Sequence, residues 1–383
     1  MPSSNDSSID HPSSTEASEI ILATLPFPEP TDILANLRQR FPNCQITYHQ
    51  TDTYWTPATN VTDSMFDDVT IIVTFHTFPD NLARFPKLKL VHFLSAGIDH
   101  VVKRELFKES KIPLTTSTGI HGPQIAEYVF GMVLALTHHV PKLLRWQREK
   151  HWGMHHGKGG YGKVFDLAGC TLGILGYGSI GRQCANVGRA MGMNVLAYTG
   201  TPRLTPESRR DTGYIVPGTG DRDGVIPSAW FHGFTKPQLH EFLNQGIDVL
   251  VVAVPMTPQT RKFLSDEEFE ILSRPRPRTG KGAYVVNIAR GAIIDNAPLI
   301  RALKKGLEEG EGGLAGACLD VTDPEPLDKE SELWDLENCI ITPHISGVGV
   351  HYMDRSFEIL AQNLLRILKS EPLINEVNRN RGY

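Results

Sequence analysis

The stretch from Thr171 to Gly181, TLGILGYGSIG, constrains this chain more than any other, because a short apolar run ends in glycines 176, 178 and 181. Read as strand, tight turn and helix start, it puts Gly176 where the chain reverses. Gly178 then lies where the backbone meets a pyrophosphate, and Gly181 where helix and strand touch. The N–H groups of Ser179 and Ile180 face the phosphates at the positive end of the helix. Three glycines alone also mark ordinary turns. Here RQCANVGRAMG follows with helical character, and MNVLAY comes next as a second apolar run. The expected unit is a βαβ fold that holds a dinucleotide.

The end of that second run is informative for what it lacks. Sites that bind an unphosphorylated ribose place Asp or Glu there. This chain runs VLAY into Thr199, Gly200, Thr201, Pro202 and Arg203. Two hydroxyls can donate, and the planar guanidinium suits phosphate oxygens. The expected cofactor is therefore NADPH/NADP+, with NAD as the alternative. The competing reading is that Arg203 merely opens a solvated loop.

A chain of 383 residues suits two domains with sizeable cores, and 40% hydrophobic with 21% charged residues is ordinary for a globular protein. A formal net charge of -5, without a Lys/Arg cluster, gives no support for nucleic-acid binding. Cys44, Cys170, Cys184, Cys318 and Cys339 are odd in number and widely spaced, as reduced thiols of an intracellular protein would be. The first 18 residues have neither the apolar core of a secretory signal nor the basic character of a transit peptide, and read as a disordered leader. No apolar run reaches the roughly 18 residues that cross a bilayer. A cytoplasmic protein without membrane partners is expected.

From Glu19 onward, short β-like runs alternate with helical ones. EIILATLP, QITYH, VTIIVTF, LKLVHFLSAG and KIPLTTSTG are the Ile-, Val- and Leu-rich segments that a buried parallel sheet requires. Residues 122–150 read as one long helix that Pro141 kinks or breaks. KHWGMHHGKGGYGK (150–163) reads as a loop whose His151, His155 and His156 lack a carboxylate partner, so no metal is expected. Residues 204–240, rich in Gly and Pro, read as a surface insertion. DVLVVAVP, AYVVNIA, LAGACLDV and CIITPHI continue the strands. The fold class is α/β, with two doubly wound parallel-sheet domains, the second a Rossmann dinucleotide-binding domain.

Three strand ends beyond the glycine loop carry polar groups where such a sheet opens its ligand crevice. VVNIARGAIID ends its strand at Arg290, ACLDVTDPEPL supplies Asp320 and Glu325, and CIITPHISG carries His344. Arginine can hold a planar carboxylate with two parallel bonds, and histidine can deliver a proton near neutral pH. A carboxylate beside an imidazole fixes its tautomer and favours its protonated form. Beside a nicotinamide, that set matches reduction of a 2-oxo acid, with His344 protonating the oxygen. Each residue alone has a plainer reading: a strand cap, a solvated carboxylate, a core histidine.

The ordered motifs LKLVHFLSAGIDHV, GPQIAEY, GILGYGSIG, VPMTPQTRKFLS, VVNIARGAIID, LDVTDPEPL and ITPHISG resemble those of D-isomer-specific 2-hydroxyacid dehydrogenases over residues 88–347. The resemblance implies Arg290, Glu325 and His344 as the catalytic three. It implies Asp320 as the partner of the nicotinamide carboxamide, and Pro255, Thr260, Ile288 and Ala289 along the cofactor. The amides of Ala96 and Gly97 would bind the substrate carboxylate with Arg290 and His344. It further implies a substrate domain of residues 19–120 plus 348–383, a nucleotide domain of residues 121–347, and a homodimer through the 122–150 region. YTGTPR is similar to the segment of NADPH-dependent glyoxylate/hydroxypyruvate reductases.

Departures are also visible. Thr322-Asp323 replaces the usual Phe-Glu or Phe-Pro, Ala253 stands where many members have His, and Ser346-Gly347-Val348-Gly349 follows His344. They bear on which acid is used, not on the reaction. The alternative from another class is a nucleotide-sensing, corepressor-like regulator on the same fold. An intact Arg290, Glu325 and His344 favours the enzyme, since a sensor needs only the cofactor site. A formate-oxidising relative is disfavoured because it uses Gln where Glu325 stands.

Overall fold

The computed structural model describes residues 19–379, apart from 55, 82–83, 155, 157–159, 161, 278–279 and 309–311. The expected leader, and His155 of the histidine-rich loop, lie outside the described residues. The chain forms two compact units. One comprises the residues up to Leu94 with His100–Thr115, and the other Ser95–Asp99 with the residues from Thr116 onward.

The first unit is built on a five-stranded parallel sheet of β1 (Ile20–Leu25), β2 (Gln45–Gln50), β3 (Ile71–Thr74), β4 (Leu90–Phe93) and β5 (Leu114–Thr116). The strand order is β2-β1-β3-β4-β5. β3, IIVT, is buried at every position, as an unbroken apolar run must be when both faces of its sheet are covered. β2 lies at the edge and keeps exposed polar positions. Helix α1 (Thr31–Arg40) connects β1 to β2, burying Leu34 and Leu37. It carries Asp32 in its first turn and Arg38 and Arg40 in its last, which complements the helix dipole. A short α2 (Glu105–Lys108) precedes β5.

The second unit opens with α3 (Gly122–Thr137) and α4 (Val140–Arg148) and then winds a seven-stranded sheet. Its strands are β6 (Thr171–Leu175), β7 (Asn194–Thr199), β8 (Ala229–His232), β9 (Val249–Val252), β10 (Tyr284–Asn287), β11 (Gly316–Leu319) and β12 (Cys339–Ile341). Between them run α5 (Ser179–Ala190), α6 (Pro206–Arg209), α7 (Lys236–Leu243), α8 (Asp266–Leu272) and α9 (Asn296–Leu307), with α10 (Tyr352–Leu368) last. The order β12-β11-β10-β9-β6-β7-β8 puts the strand of the glycine loop next to the long-range partner β9. β9 shows why VLVV suits this place. Leu250 and Val252 pack into one apolar core, Val249 and Val251 into the other, one on each face. Val129 and Val133 of α3 cover the second face.

The expected break in the helix of residues 122–150 is present, two residues ahead of Pro141. His139 takes a left-handed φ of 56°, and Pro141 then sits in the first turn of α4. In an uninterrupted helix its ring would strike the Thr137 carbonyl, whereas a first turn tolerates it. The 204–240 segment is not wholly an insertion, because its AWFH pairs with β7 as the edge strand β8. Residues 348–379 group with the second unit rather than the first. Arg355 of α10 donates to the Ile120 carbonyl and to Gln124 Oε1, both at 3.0 Å, and Asn375 Nδ2 donates to the carbonyls of Thr116 and Thr118.

Candidate active site

The glycine loop does what its spacing requires. Gly176 has a φ of 111°, and a Cβ there would lie 2.5 Å from the Ala253 carbonyl carbon. A side chain at Gly181 would come within 2.3 Å of the Gly176 carbonyl oxygen, so helix and strand touch. Gly178 differs. A Cβ there would meet nothing within 4 Å, and Gly178 lines a cleft of about 370 Å³. Gly178 is also the N-cap of α5, and no side chain caps that helix start. The first turn of α5 thus presents its amides to a space that a phosphate fits.

The same cleft is walled by Thr199, Gly200, Thr201 and Arg203 beyond β7, by Pro255 beyond β9, and by Ile288, Ala289 and Arg290 beyond β10. Gly176, Ser179, Ile180 and Gly181 line it, as do Ala96 and Gly97. Arg203 Nη1 donates to the Ser208 carbonyl, and the Arg203 carbonyl accepts from Arg209 Nε at 3.0 Å. Among the described residues, the Thr199–Arg203 part of the wall holds no carboxylate. These features fit a nicotinamide dinucleotide.

Thr260, placed along the cofactor by its motif, is buried instead. Its hydroxyl donates to the Pro255 carbonyl at 2.8 Å and accepts from the Thr257 amide at 2.8 Å, so it shapes the loop behind the wall. Asp320 is also buried, only 1% exposed. Its Oδ1 accepts from Thr342 Oγ1 (2.7 Å) and the Ile345 amide (2.9 Å), and its Oδ2 from the amide and hydroxyl of Ser346. A carboxylate has about four acceptor positions, and the loop around His344 occupies all of them. Asp320 therefore orders that loop. Tyr128 of α3 extends the chain with a 2.7 Å bond to Thr342.

His344 Nδ1 lies 2.6 Å from Glu325 Oε1. With the acceptor at Nδ1, the proton sits there in the neutral ring, and Nε2 is left for exchange with a reactant. His344 adopts a φ of 53°, held by its amide donating to the Asp320 carbonyl at 2.8 Å. Arg290 follows β10 and His344 follows β12, so one strand separates them, a backbone distance on the order of 10 Å. Both groups stand at the carboxyl ends of their strands.

Sequence reading missed two residues that set Arg290, Asp99 and Asn287. Asp99 Oδ2 accepts from its Nε at 3.1 Å and its Nη2 at 2.8 Å. This pair is about half exposed, which limits its net stability to about 1 kcal/mol, and its effect is orientation. Buried Asn287 closes the turn, its Nδ2 donating to the Arg290 carbonyl and its Oδ1 accepting from the Ala289 amide. Gly97 leaves room, since a Cβ there would sit 2.5 Å from Arg290 Nη2. Asp99 was within reach of sequence reading, being part of the LSAGIDHV motif.

His121 was also missed. It lines the cleft, is 6% exposed, and its Nδ1 has no hydrogen-bond partner among the described residues. Burial, reinforced by Arg355, pushes its pKa down to about 4. Between that value and the ordinary 6.5 the unfolded chain takes a proton that the folded chain refuses. The contribution is therefore fully present above pH 6.5 and is lost as pH falls toward 4. His121→Leu should remove about 2 kcal/mol of the stability difference between pH 7 and pH 5. Urea denaturation at both values checks this, and an unaltered difference would count against it.

His240, Glu267 and Glu268 come together in a grouping that could suit a metal. Lys236 already places Nζ 2.6 Å from Glu268 Oε2, so the buried carboxylate is neutralised by protein. Among the described residues no helix is long and apolar enough to cross a membrane.

Comparison with known proteins agrees with this geometry. Residues 130–216 and 221–346 match the family described as D-isomer specific 2-hydroxyacid dehydrogenase, NAD binding domain. A glyoxylate reductase of Pyrococcus horikoshii is 30% identical over 297 residues, 77% of each chain. One from Thermofilum pendens is 27% identical over 337 residues, 86% of each. A D-isomer specific 2-hydroxyacid dehydrogenase from Xanthobacter autotrophicus Py2, crystallised with NADPH and MES, superposes with a TM-score of 0.71 at 27% identity. That match covers 96% of this chain and all of the other. A strand-ordered Arg, Glu and His beside a dinucleotide loop, on this fold and among these relatives, leaves one assignment: the chain belongs to the D-isomer specific 2-hydroxyacid dehydrogenase family.

Proposed function

We propose that this protein is an NADPH-dependent reductase of small 2-oxo acids, acting on glyoxylate or hydroxypyruvate to give glycolate or D-glycerate. The observation that carries the reading is the His344–Glu325 pair at 2.6 Å, two strands along the sheet from Arg290. The bound dinucleotide supplies a hydride, and the rest of the chemistry falls to side chains. Three of the five Arg290 donors are used by Asp99 and the Ala289 carbonyl, which leaves two for a substrate carboxylate. The amides of Ala96 and Gly97 add donors on the same wall. His344 delivers the Nε2 proton to the carbonyl oxygen, and Glu325 stabilises the charged ring beforehand. Glyoxylate reductases among the relatives support the substrate class.

NADPH is preferred in this reading because Thr199, Thr201 and Arg203 stand where a ribose-binding carboxylate would repel a phosphate, and a structural neighbour was crystallised with NADPH. Charge-assisted bonds to phosphate contribute roughly 1.5–3 kcal/mol each, so NADPH should bind about tenfold or more tightly than NADH. Arg203→Ala should remove most of that difference. Titrating both cofactors into each protein checks it, and equal affinities in the unaltered chain would refute the preference. A panel of 2-oxo acids, followed by loss of NADPH absorbance, tests the reaction. Tight NADPH binding without turnover of any acid would favour the corepressor-like regulator, which the relatives' names do not support.

Two further parts of the reading concern the protein's setting. Exposed Val140 and Leu144 on α4, with Trp152 and Met154 beyond it, support a homodimer through residues 122–150. A monomeric mass by light scattering would exclude it. Five free cysteines suit a reducing compartment such as the cytoplasm, which cell fractionation tests.

A further inference from the structure

The segment between β7 and β8 is tied to the glycine loop by buried charges that catalysis does not use. Arg182, in the first turn of α5, is 4% exposed, and Asp221 is 5% exposed. Arg182 Nη1 donates to the Asp221 carbonyl and Nη2 to the Arg209 carbonyl. Its Nε lies 3.5 Å from Asp211 Oδ2. The Asp221 carboxylate accepts from the Val225 amide at 3.0 Å and the Ile226 amide at 3.1 Å. It also accepts from the Tyr177 hydroxyl at 2.7 Å, and Tyr177 stands between the first two glycines of the loop.

These bonds converge on Arg203. Arg209, whose carbonyl Arg182 holds, donates from Nε to the Arg203 carbonyl. Ser208 accepts from Arg203 Nη1 and is fixed by reciprocal bonds with Thr205 at the start of α6. One guanidinium edge is thus pinned while Arg203 lines the cleft. Burying Arg182 and Asp221 carries a desolvation penalty, and such groups are a weak source of net stability. What they supply here is a fixed position for a cation at the end of β7.

We infer that Arg182 and Asp221 are positioning residues for selecting a phosphorylated dinucleotide, holding residues 203–226 against the glycine loop so that Arg203 meets the 2′-phosphate in one geometry. The inference rests on the reading of Arg203 given under the proposed function. A merely structural network would, when cut, weaken all ligands alike. A positioning network selectively weakens those carrying the 2′-phosphate.

The test uses adenosine 2′,5′-bisphosphate and adenosine 5′-monophosphate as probes, with NADPH and NADH, titrated calorimetrically into the full chain. Asp221→Asn and Arg182→Gln should each weaken the bisphosphate and NADPH by about tenfold, with the monophosphate and NADH held within about twofold. Equal weakening of all four ligands, or of none, overturns the inference. Arg203→Ala separates the two levels. If the unaltered chain shows no bisphosphate preference, or Arg203→Ala keeps it, the underlying cofactor reading fails. If Arg203→Ala abolishes the preference while both network variants retain it, the positioning role alone fails. Should the variants not fold, hydrogen exchange on the unaltered chain decides. The bisphosphate should slow exchange over residues 203–226 more than the monophosphate does, and equal protection overturns the role.

Discussion

Replacing His344 with Ala should lower the rate of 2-oxo-acid reduction by about 10²–10⁴-fold, the usual contribution of general acid catalysis. Dinucleotide affinity should stay within about twofold, because the cleft is walled by the glycine loop, Thr199–Arg203 and Ile288–Arg290, and His344 is not among its lining residues. Glu325→Gln separates the two things the carboxylate does. A Gln oxygen can still accept from Nδ1–H and keep the tautomer, but it removes the negative charge 2.6 Å from the ring. Its rate should fall between those of the unaltered chain and His344→Ala. Single-turnover rates, with cofactor affinity from NADPH fluorescence, check both. A His344→Ala rate within tenfold of the original would mean that the proton comes from elsewhere.

The second large effect comes from two glycines of one motif that should fail in different ways. Gly178 has an ordinary extended conformation (φ −85°), so any residue can adopt it, and a Cβ there meets open space. Gly178→Val should fold normally and lose at least about a hundredfold in dinucleotide affinity, since the new methyls occupy the phosphate's place and two charge-assisted contacts are worth that much. Gly181→Ala should lose stability instead. Its methyl would lie 2.3 Å from the Gly176 carbonyl oxygen and 2.8 Å from Ile174 Cγ2, and overpacking of this kind costs typically 1–3 kcal/mol. Denaturation midpoints and NADH titrations on both variants test the contrast. A destabilised Gly178→Val with unimpaired binding would show that the loop does not cradle a phosphate.

What was legible in the sequence follows from how each feature is encoded. Buried parallel strands such as IIVT and VLVV announce themselves because both faces are covered. The glycine loop is written in residues whose role is local, and the roles assigned to Gly176 and Gly181 are those their geometry shows. β8 escaped because AWFH is half-buried at every position and sits among Gly and Pro. An edge strand has no continuous apolar run to signal it. Asp320 shows a different limit. Its motif gives its place at the end of β11, but which donors fill a carboxylate depends on the path of residues 342–346, which no spacing reveals. The helix break illustrates partial legibility. Pro141 signals it, yet the chain yields at His139 because proline is tolerated just after a helix start.

The parallel arrangement of both sheets also shapes how this chain reaches its fold. Parallel neighbours cannot be joined by a tight hairpin, and every connection must cross over. Even close partners such as Thr171 and Asn194 are separated by a full loop-and-helix excursion through α5. The central pair of the larger sheet joins Leu172 to Val249, across the whole of β7, the 203–226 segment, β8 and α7. Loop-closure entropy is therefore met before any ladder bond rewards it, and topologies of this kind fold slowly. Until β9 docks, β6 has an open edge, and a nascent chain held at that stage exposes the apolar strand on which the glycine loop is built.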